Sequence, residues 1–275
     1  QSRTPAKPSG GRRATASARR SRGRTWLRRG LWTVLALAIL GVTALGVAYA
    51  RTEVPEPNEI ATAQTSIVYF ADGKTELGRL SASDGNRVSV PLSQIPDHMQ
   101  KAILAGEDQT FYENSGISPT GIARAVWVAV KGGQATQGGS TITQQYVKNY
   151  FLTSDRTLER KAREILLAVK IDRQQTKDEI LENYLNTIYY GRGAYGIQTA
   201  SDAYFNKDVS ELTVAESAFL ASVIRGPSFY DPGLGEEQAA NAQERSGYIL
   251  DAMVENGWLT AAERAEATFP DTFVK

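Results

Sequence analysis

The 275 residues contain no cysteine and a single histidine, His98. Disulfide bridges and thiolate metal sites are therefore excluded, and an extracytoplasmic setting is allowed without being required. Acidic residues are missing from positions 1–30, which carry ten Lys or Arg. The formal net charge of +1 is thus a cancellation, with 21 basic against 30 acidic residues in the remainder. A nucleotide P-loop is absent too, because the stretch Gly138-Gly139-Ser140-Thr141 lacks the Lys-Ser/Thr ending that holds a triphosphate. A basic tail alone suits nucleic acid, but this one runs straight into an apolar segment. That adjacency points to a membrane and away from nucleic acid as partner.

The apolar segment, Leu31 to Ala50, holds no charge over 20 residues. At about 1.5 Å per helical residue this matches a bilayer core of roughly 30 Å, and it exceeds the apolar run of a signal peptide. It predicts a single-pass transmembrane helix, with residues 1–30 as a disordered cytoplasmic tail and everything after Arg51 outside the membrane. Residues 51–64 read as a polar, Pro-containing linker. Thr65–Phe70 and Glu76–Leu80 flank an Ala-Asp-Gly-Lys turn, and Asp84-Gly85-Asn86 precedes Val88 and Val90, so a small β element is expected. Beyond Pro96 the signals are helical. Thr176-x-x-Glu179 and Thr213-x-x-Glu216 are capping boxes before apolar runs. The fold class is mainly α, with a main domain over 65–235 and a helical linker over 236–275 in which no chemistry is evident.

Four segments resist explanation as core or solvated surface: Gly106-Glu107-Asp108-Gln109-Thr110-Phe111-Tyr112, Gly138 to Gln145 with Lys148 just after, Arg160-Lys161-Ala162-Arg163-Glu164, and Ile180 to Asn186 leading to Tyr189-Tyr190-Gly191. Glu107 and Asp108 lie between Ile103-Leu104 and Phe111-Tyr112, surroundings that raise a carboxyl pKa towards the range useful for proton transfer. The second segment combines glycines, which let backbone approach a ligand, with the hydroxyls of Ser140 and Thr143 and the amides of Gln144 and Gln145. On a helix from Leu158, residues Ala162, Ile165, Leu166 and Val169 form the expected buried stripe. Arg160, Lys161 and Glu164 then share another face, where Arg160 and Glu164 by themselves make an ordinary surface pair.

Taken in this order after a basic tail and a membrane helix, the four segments resemble the peptidoglycan glycosyltransferases of class A bifunctional penicillin-binding proteins, over about residues 65–235. The resemblance implies a lysozyme-like fold with head and jaw lobes, and polymerisation of lipid II into β-1,4 glycan with release of undecaprenyl pyrophosphate. By that resemblance Glu107 is the base that deprotonates the acceptor hydroxyl. Glu164 is the second catalytic acid, which holds the donor pyrophosphate through a divalent cation, Mg or Mn, or assists its departure. Lys148, Arg160 and Lys161 match the residues around the diphosphate. Asp108, Ser140, Thr143, Gln144, Gln145 and Tyr189 fall among the substrate-binding positions. Expected partners are lipid II, the growing strand, the bacterial membrane and other cell-wall synthesis proteins.

Two positions depart from that family's pattern: Asn114 stands where histidine is frequent, and Tyr190 where phenylalanine is. The Ser-x-x-Lys and Lys-Thr-Gly motifs of the transpeptidase half do not occur in the chain. With Gln1 in first place, this fits a truncated bifunctional enzyme, a monofunctional one being the alternative. A lytic transglycosylase or lysozyme-like hydrolase is the nearest rival, but glycan cleavage needs no cluster of cations for a pyrophosphate. A catalytically silent envelope scaffold is the other rival, and it has no need of both Glu107 and Glu164.

Overall fold

Every position from Glu216 to Val223 is buried, and the helix that holds this run, Val214–Val223, is the central helix of the domain. A helix apolar on all sides must be covered on all sides. Small Ala and Ser residues on it let two neighbours, Asp97–Glu107 and Glu236–Glu255, pack closely against it. A computed structural model describes residues 17–54, 65–70, 76–81, 86–121, 123, 127, 131, 139–152 and 157–274. Among them the fold is mainly α, as expected.

The elements follow the chain as α1 (Ser17–Arg51), β1 (Thr65–Tyr69), β2 (Glu76–Ser81), β3 (Asn86–Arg87), α2 (Asp97–Glu107), α3 (Ile142–Phe151), α4 (Leu158–Gln174), α5 (Lys177–Thr187), β4 (Tyr189–Gly191), β5 (Ala194–Tyr195), α6 (Ile197–Phe205), α7 (Val214–Val223), α8 (Pro227–Tyr230), α9 (Glu236–Glu255) and α10 (Ala261–Glu266). Residues 1–51 and 52–275 form separate compact units. Trp26–Arg51 is the one described helix long and apolar enough to cross a membrane. Its helix begins already at Ser17, within the stretch expected to be disordered. Arg, Ala and Leu are good helix formers, and a helix already nucleated by the apolar run extends at little cost. The first sixteen residues lie outside the described ones.

β1 and β2 pair antiparallel, with Thr65 opposite Ser81, as the turn signal predicts. The second β expectation is displaced: Asn86–Arg87, and not Val88–Val90, is the strand, parallel to β5. Val88 and Val90 are instead held by side chains, Val88 N–H donating to Thr199 Oγ1 and Val90 N–H to Asn186 Oδ1. Both predicted capping boxes form, at Thr176 and Thr213, and Thr141/Gln144 and Thr260/Glu263 make two more.

A second packing group surrounds α3, which lies against α4 and α5. The boundary expected at residue 235 is not where the packing puts it. Ala242, Ile249, Leu250 and Met253 of α9 are buried in the same core as Met99, Ile103 and Phe219, so α9 is part of the domain. His98 is half-buried, and its Nε2 lies 2.7 Å from the Leu212 carbonyl.

Candidate active site

Glu107 is the last residue of α2, and its side chain is only 12% exposed. Two residues from different helices hold it. Gln145 of α3 donates its amide to Oε2 at 2.8 Å, and Arg245 of α9 approaches Oε1 at 3.2 Å. Gln145 is held in turn by the Tyr184 hydroxyl, which donates to its Oε1 at 3.2 Å. Tyr184 is fully buried, and desolvation followed by the nearby Glu107 charge raises its pKa well above the ordinary value, so it stays a donor. The carboxylate is therefore fixed in direction with lone pairs still open to a further donor. It lines a pocket with Gly106, Thr110, Ser118, Gly139 and Ser140.

Asp108, the next residue, does a different job. It leaves α2 in extended backbone and is buried. Its oxygens accept from Asn114 Nδ2 at 3.0 and 3.2 Å, from Ile142 N–H at 3.2 Å and from Thr110 Oγ1 at 3.3 Å. Burial lifts the Asp108 carboxyl above its usual range, and the Asn114, Ile142 and Thr110 bonds oppose that rise. Asp108, expected among substrate contacts, lines the same pocket as Glu107 and also ties the loop after α2 to the start of α3. Asn114 extends the tie by accepting from Gly116 N–H at 3.0 Å. Thr141 closes it, its hydroxyl donating to the Gly116 carbonyl at 2.7 Å. Gly116 has φ +80°, and a Cβ there would sit 2.5 Å from the Ala168 carbonyl oxygen of α4, so only glycine lets the loop lie on that helix.

The basic cluster gathers on the face of α4 that the sequence suggests, but that face is the buried one. Glu164 is 1% exposed and lines up with Leu167, Ala168 and Ile171 in the buried stripe, whereas Ala162 is exposed and Ile165, Leu166 and Val169 are half-buried. Apolar spacing chose the wrong face because two cations compensate the buried charge. Arg160 donates to Glu164 Oε2 at 2.8 Å, and Lys161 pairs with Oε1. Lys161 also donates to Ser140 Oγ at 2.9 Å, which joins this cluster to the rim of the Glu107 pocket. Lys148 reaches the surface from α3, yet desolvation of its ammonium lowers its pKa. Glu164 and Glu107 oppose that fall, and Arg160 and Lys161 add to it. One field thus spans both acids and three cations.

The remaining expectations divide. Ser140 lines the pocket, and Gln145 acts on it through its bond to Glu107. Gln144 is buried and spends its side chain on the capping box with Thr141. Thr143 is buried with its hydroxyl unpartnered among the described residues. Tyr189 stacks on Tyr195 at 4.8 Å and accepts from Gly193 N–H at 3.4 Å, so its described contacts belong to the β4–β5 hairpin and not to the acids. For a divalent cation, the donor set does not fit. Both Glu164 oxygens are taken by cations, and no group of three or more Asp, Glu, His or Cys gathers among the described residues. Arg245 was missed because α9 offers a plain amphipathic pattern. Tyr184 lay in plain sight inside the fourth segment.

A fixed carboxylate beside a hydroxyl-lined pocket and a cluster of cations defines a site for transfer chemistry on a hydroxylated, anionic substrate. A sequence profile of the transglycosylase family matches residues 73–254, and the chain belongs to that family. That span takes in α9 as far as Val254. Penicillin-binding protein 1A of Mycolicibacterium smegmatis is 45% identical over 252 residues, covering 90% of this chain and 32% of that protein. The protein of the same name from Mycobacterium tuberculosis is 46% identical over 252 residues, covering 90% and 30%. The one from Haemophilus influenzae is 40% identical over 233 residues, covering 84% and 26%. The chain thus spans less than a third of the length of each of these relatives.

Proposed function

We propose that the chain is a peptidoglycan glycosyltransferase that joins lipid II units into β-1,4 glycan with inversion at the donor carbon. The observation that carries this reading is Glu107 held by Gln145 and Arg245 at a pocket whose rim, Ser140, is bonded to Lys161 of the cation cluster. Glu107 accepts the proton of the acceptor 4-hydroxyl as that oxygen bonds to the donor anomeric carbon. The bond from that carbon to the pyrophosphate breaks, and its electron pair leaves with undecaprenyl pyrophosphate. Negative charge grows on the leaving group, and preorganised cations in a partly dry site stabilise it more than water does. Lys148, Arg160 and Lys161 supply those cations, and Glu164 holds two of them in place. No step requires a metal ion held by the protein.

The apolar helix supports a single-pass membrane anchor, with the basic residues on its N-terminal side in the cytoplasm and the catalytic domain outside. Substrate in the same membrane is then confined to two dimensions with the enzyme. Glycan cleavage is the second reading, and the cation cluster argues against it. Incubating the detergent-solubilised chain with lipid II and resolving products by gel separates them. Polymer supports the transferase, and muropeptide fragments released from preformed glycan support the hydrolase.

A further inference from the structure

Arg192 sits at the tip of the β4–β5 hairpin with φ +51°, a left-handed backbone that residues with a side chain rarely adopt. Such a conformation persists where the surroundings over-determine it. Here the surroundings are specific. Nε and Nη2 form a two-pronged pair with Asp231 at 2.9 and 2.6 Å, and Nη1 donates to the carbonyls of Ala203 at 3.2 Å and Val274 at 2.6 Å. The guanidinium also lies over the Tyr204 ring at 4.3 Å. Hydrogen bonding to Asp231 holds the Arg192 pKa above its ordinary value, with desolvation opposing and the Asp231 charge adding to the rise.

Each partner belongs to a different part of the fold. Val274 ends a docked segment whose N–H donates to Tyr204 O at 2.9 Å, and whose Phe273 ring lies 4.8 Å from Phe219 of α7 and 5.6 Å from Phe205 of α6. Asp231 accepts from Gly233 N–H at 2.9 Å and caps the short turn Pro232–Leu234 that leads directly into α9. A Cβ on Gly233 would lie 2.7 Å from Arg192 Nη2, so the turn and the guanidinium are fitted to each other. Ten residues into α9 stands Arg245, on Glu107.

We propose that Arg192 is a positioning residue for Glu107: it locks the docked segment 268–274 and the start of α9 into one unit, and α9 delivers Arg245 to the carboxylate. The inference rests on the glycosyltransferase reading. It makes the site responsive to displacement of the 268–274 segment, some distance along the chain from any group that touches substrate.

A double-mutant cycle on the full chain with lipid II tests it. Arg192→Gly keeps the left-handed backbone and removes every side-chain bond, so the hairpin is spared. We expect kcat to fall about tenfold and KM for lipid II to change by less than about twofold. In an Arg245→Ala background the same change should cost less than about twofold, because its route to Glu107 is already cut. Equal losses in both backgrounds, or an unchanged kcat in folded Arg192→Gly, would overturn the inference. Should Arg192→Gly not fold, Asp231→Asn, which keeps an oxygen for Gly233 N–H, is read by the same cycle. No polymer from the wild type would remove the glycosyltransferase reading and this inference together, whereas active wild type with additive losses removes the inference alone.

Discussion

Arg245 and Glu107 stand 138 positions apart in sequence and 3.2 Å apart in space, each side chain about nine-tenths shielded from solvent. The pair joins α9 to α2 across the core and sets the direction in which the Glu107 carboxylate faces its pocket. Arg245→Ala should therefore slow polymerisation by about tenfold or more, with KM for lipid II changed by less than about twofold. Donor-analogue affinity should hold, since Lys148, Arg160 and Lys161 are untouched. Polymerisation rates of the folded variant over a range of lipid II concentrations check this, and an unchanged kcat would contradict the role given to Arg245.

Burial of Glu164 changes what its partners are worth. An exposed i,i+4 pair contributes about 0.3–0.5 kcal/mol, but breaking a buried pair costs about 3–5 kcal/mol because a charge is left stranded. Arg160 is mostly covered, so Arg160→Ala should cost roughly 3 kcal/mol of stability as well as slowing transfer. Lys161 is 40% exposed, and solvent screens its loss, so Lys161→Ala should lose mainly rate. Urea unfolding together with polymerisation rates separates the two. Equal stability for Arg160→Ala and wild type would place Glu164 back at the surface.

Alkaline stability should report the buried tyrosines. Desolvation pushes Tyr146 up to about 12, with Tyr150 adding and a Gln175 hydrogen bond opposing. The unfolded chain releases this proton near pH 10 and the folded one near pH 12, so between them the unfolded state binds fewer protons and stability falls as pH rises. The contribution is complete below pH 10 and gone above 12, roughly 2–3 kcal/mol in all. Tyr146→Phe should flatten that part of the decline in thermal unfolding measured from pH 9 to 12. An unchanged slope would mean the phenol is not desolvated.

Short-range signals made much of this molecule readable. The uncharged run from Leu31, the two capping boxes and the turn between β1 and β2 are local, and each fixes an element by itself. Glu107 and the cations were readable as chemistry because their residue types serve no core. The face of α4 was not, because periodicity assigns charged residues to solvent and cannot register that Arg160 and Lys161 neutralise Glu164 inside. Arg245 was hidden for a related reason. Ala242, Ile249 and Met253 define an ordinary apolar stripe on α9, and nothing within a helix says which distant carboxylate its flanking arginine will meet. The same limit applies to Asp108, whose ties to Asn114 and Ile142 arise only once α2 and α3 are brought together.

The role of Glu107 as the base is tested most directly by Glu107→Gln, which keeps the side chain's shape and removes its capacity to take a proton. With lipid II as substrate and folding verified by thermal unfolding, polymerisation should fall at least about a hundredfold, or roughly 2.7 kcal/mol of transition-state stabilisation, while donor-analogue affinity changes little. Near-normal polymerisation by the folded variant would contradict the account and return the base to Glu164 or Asp108.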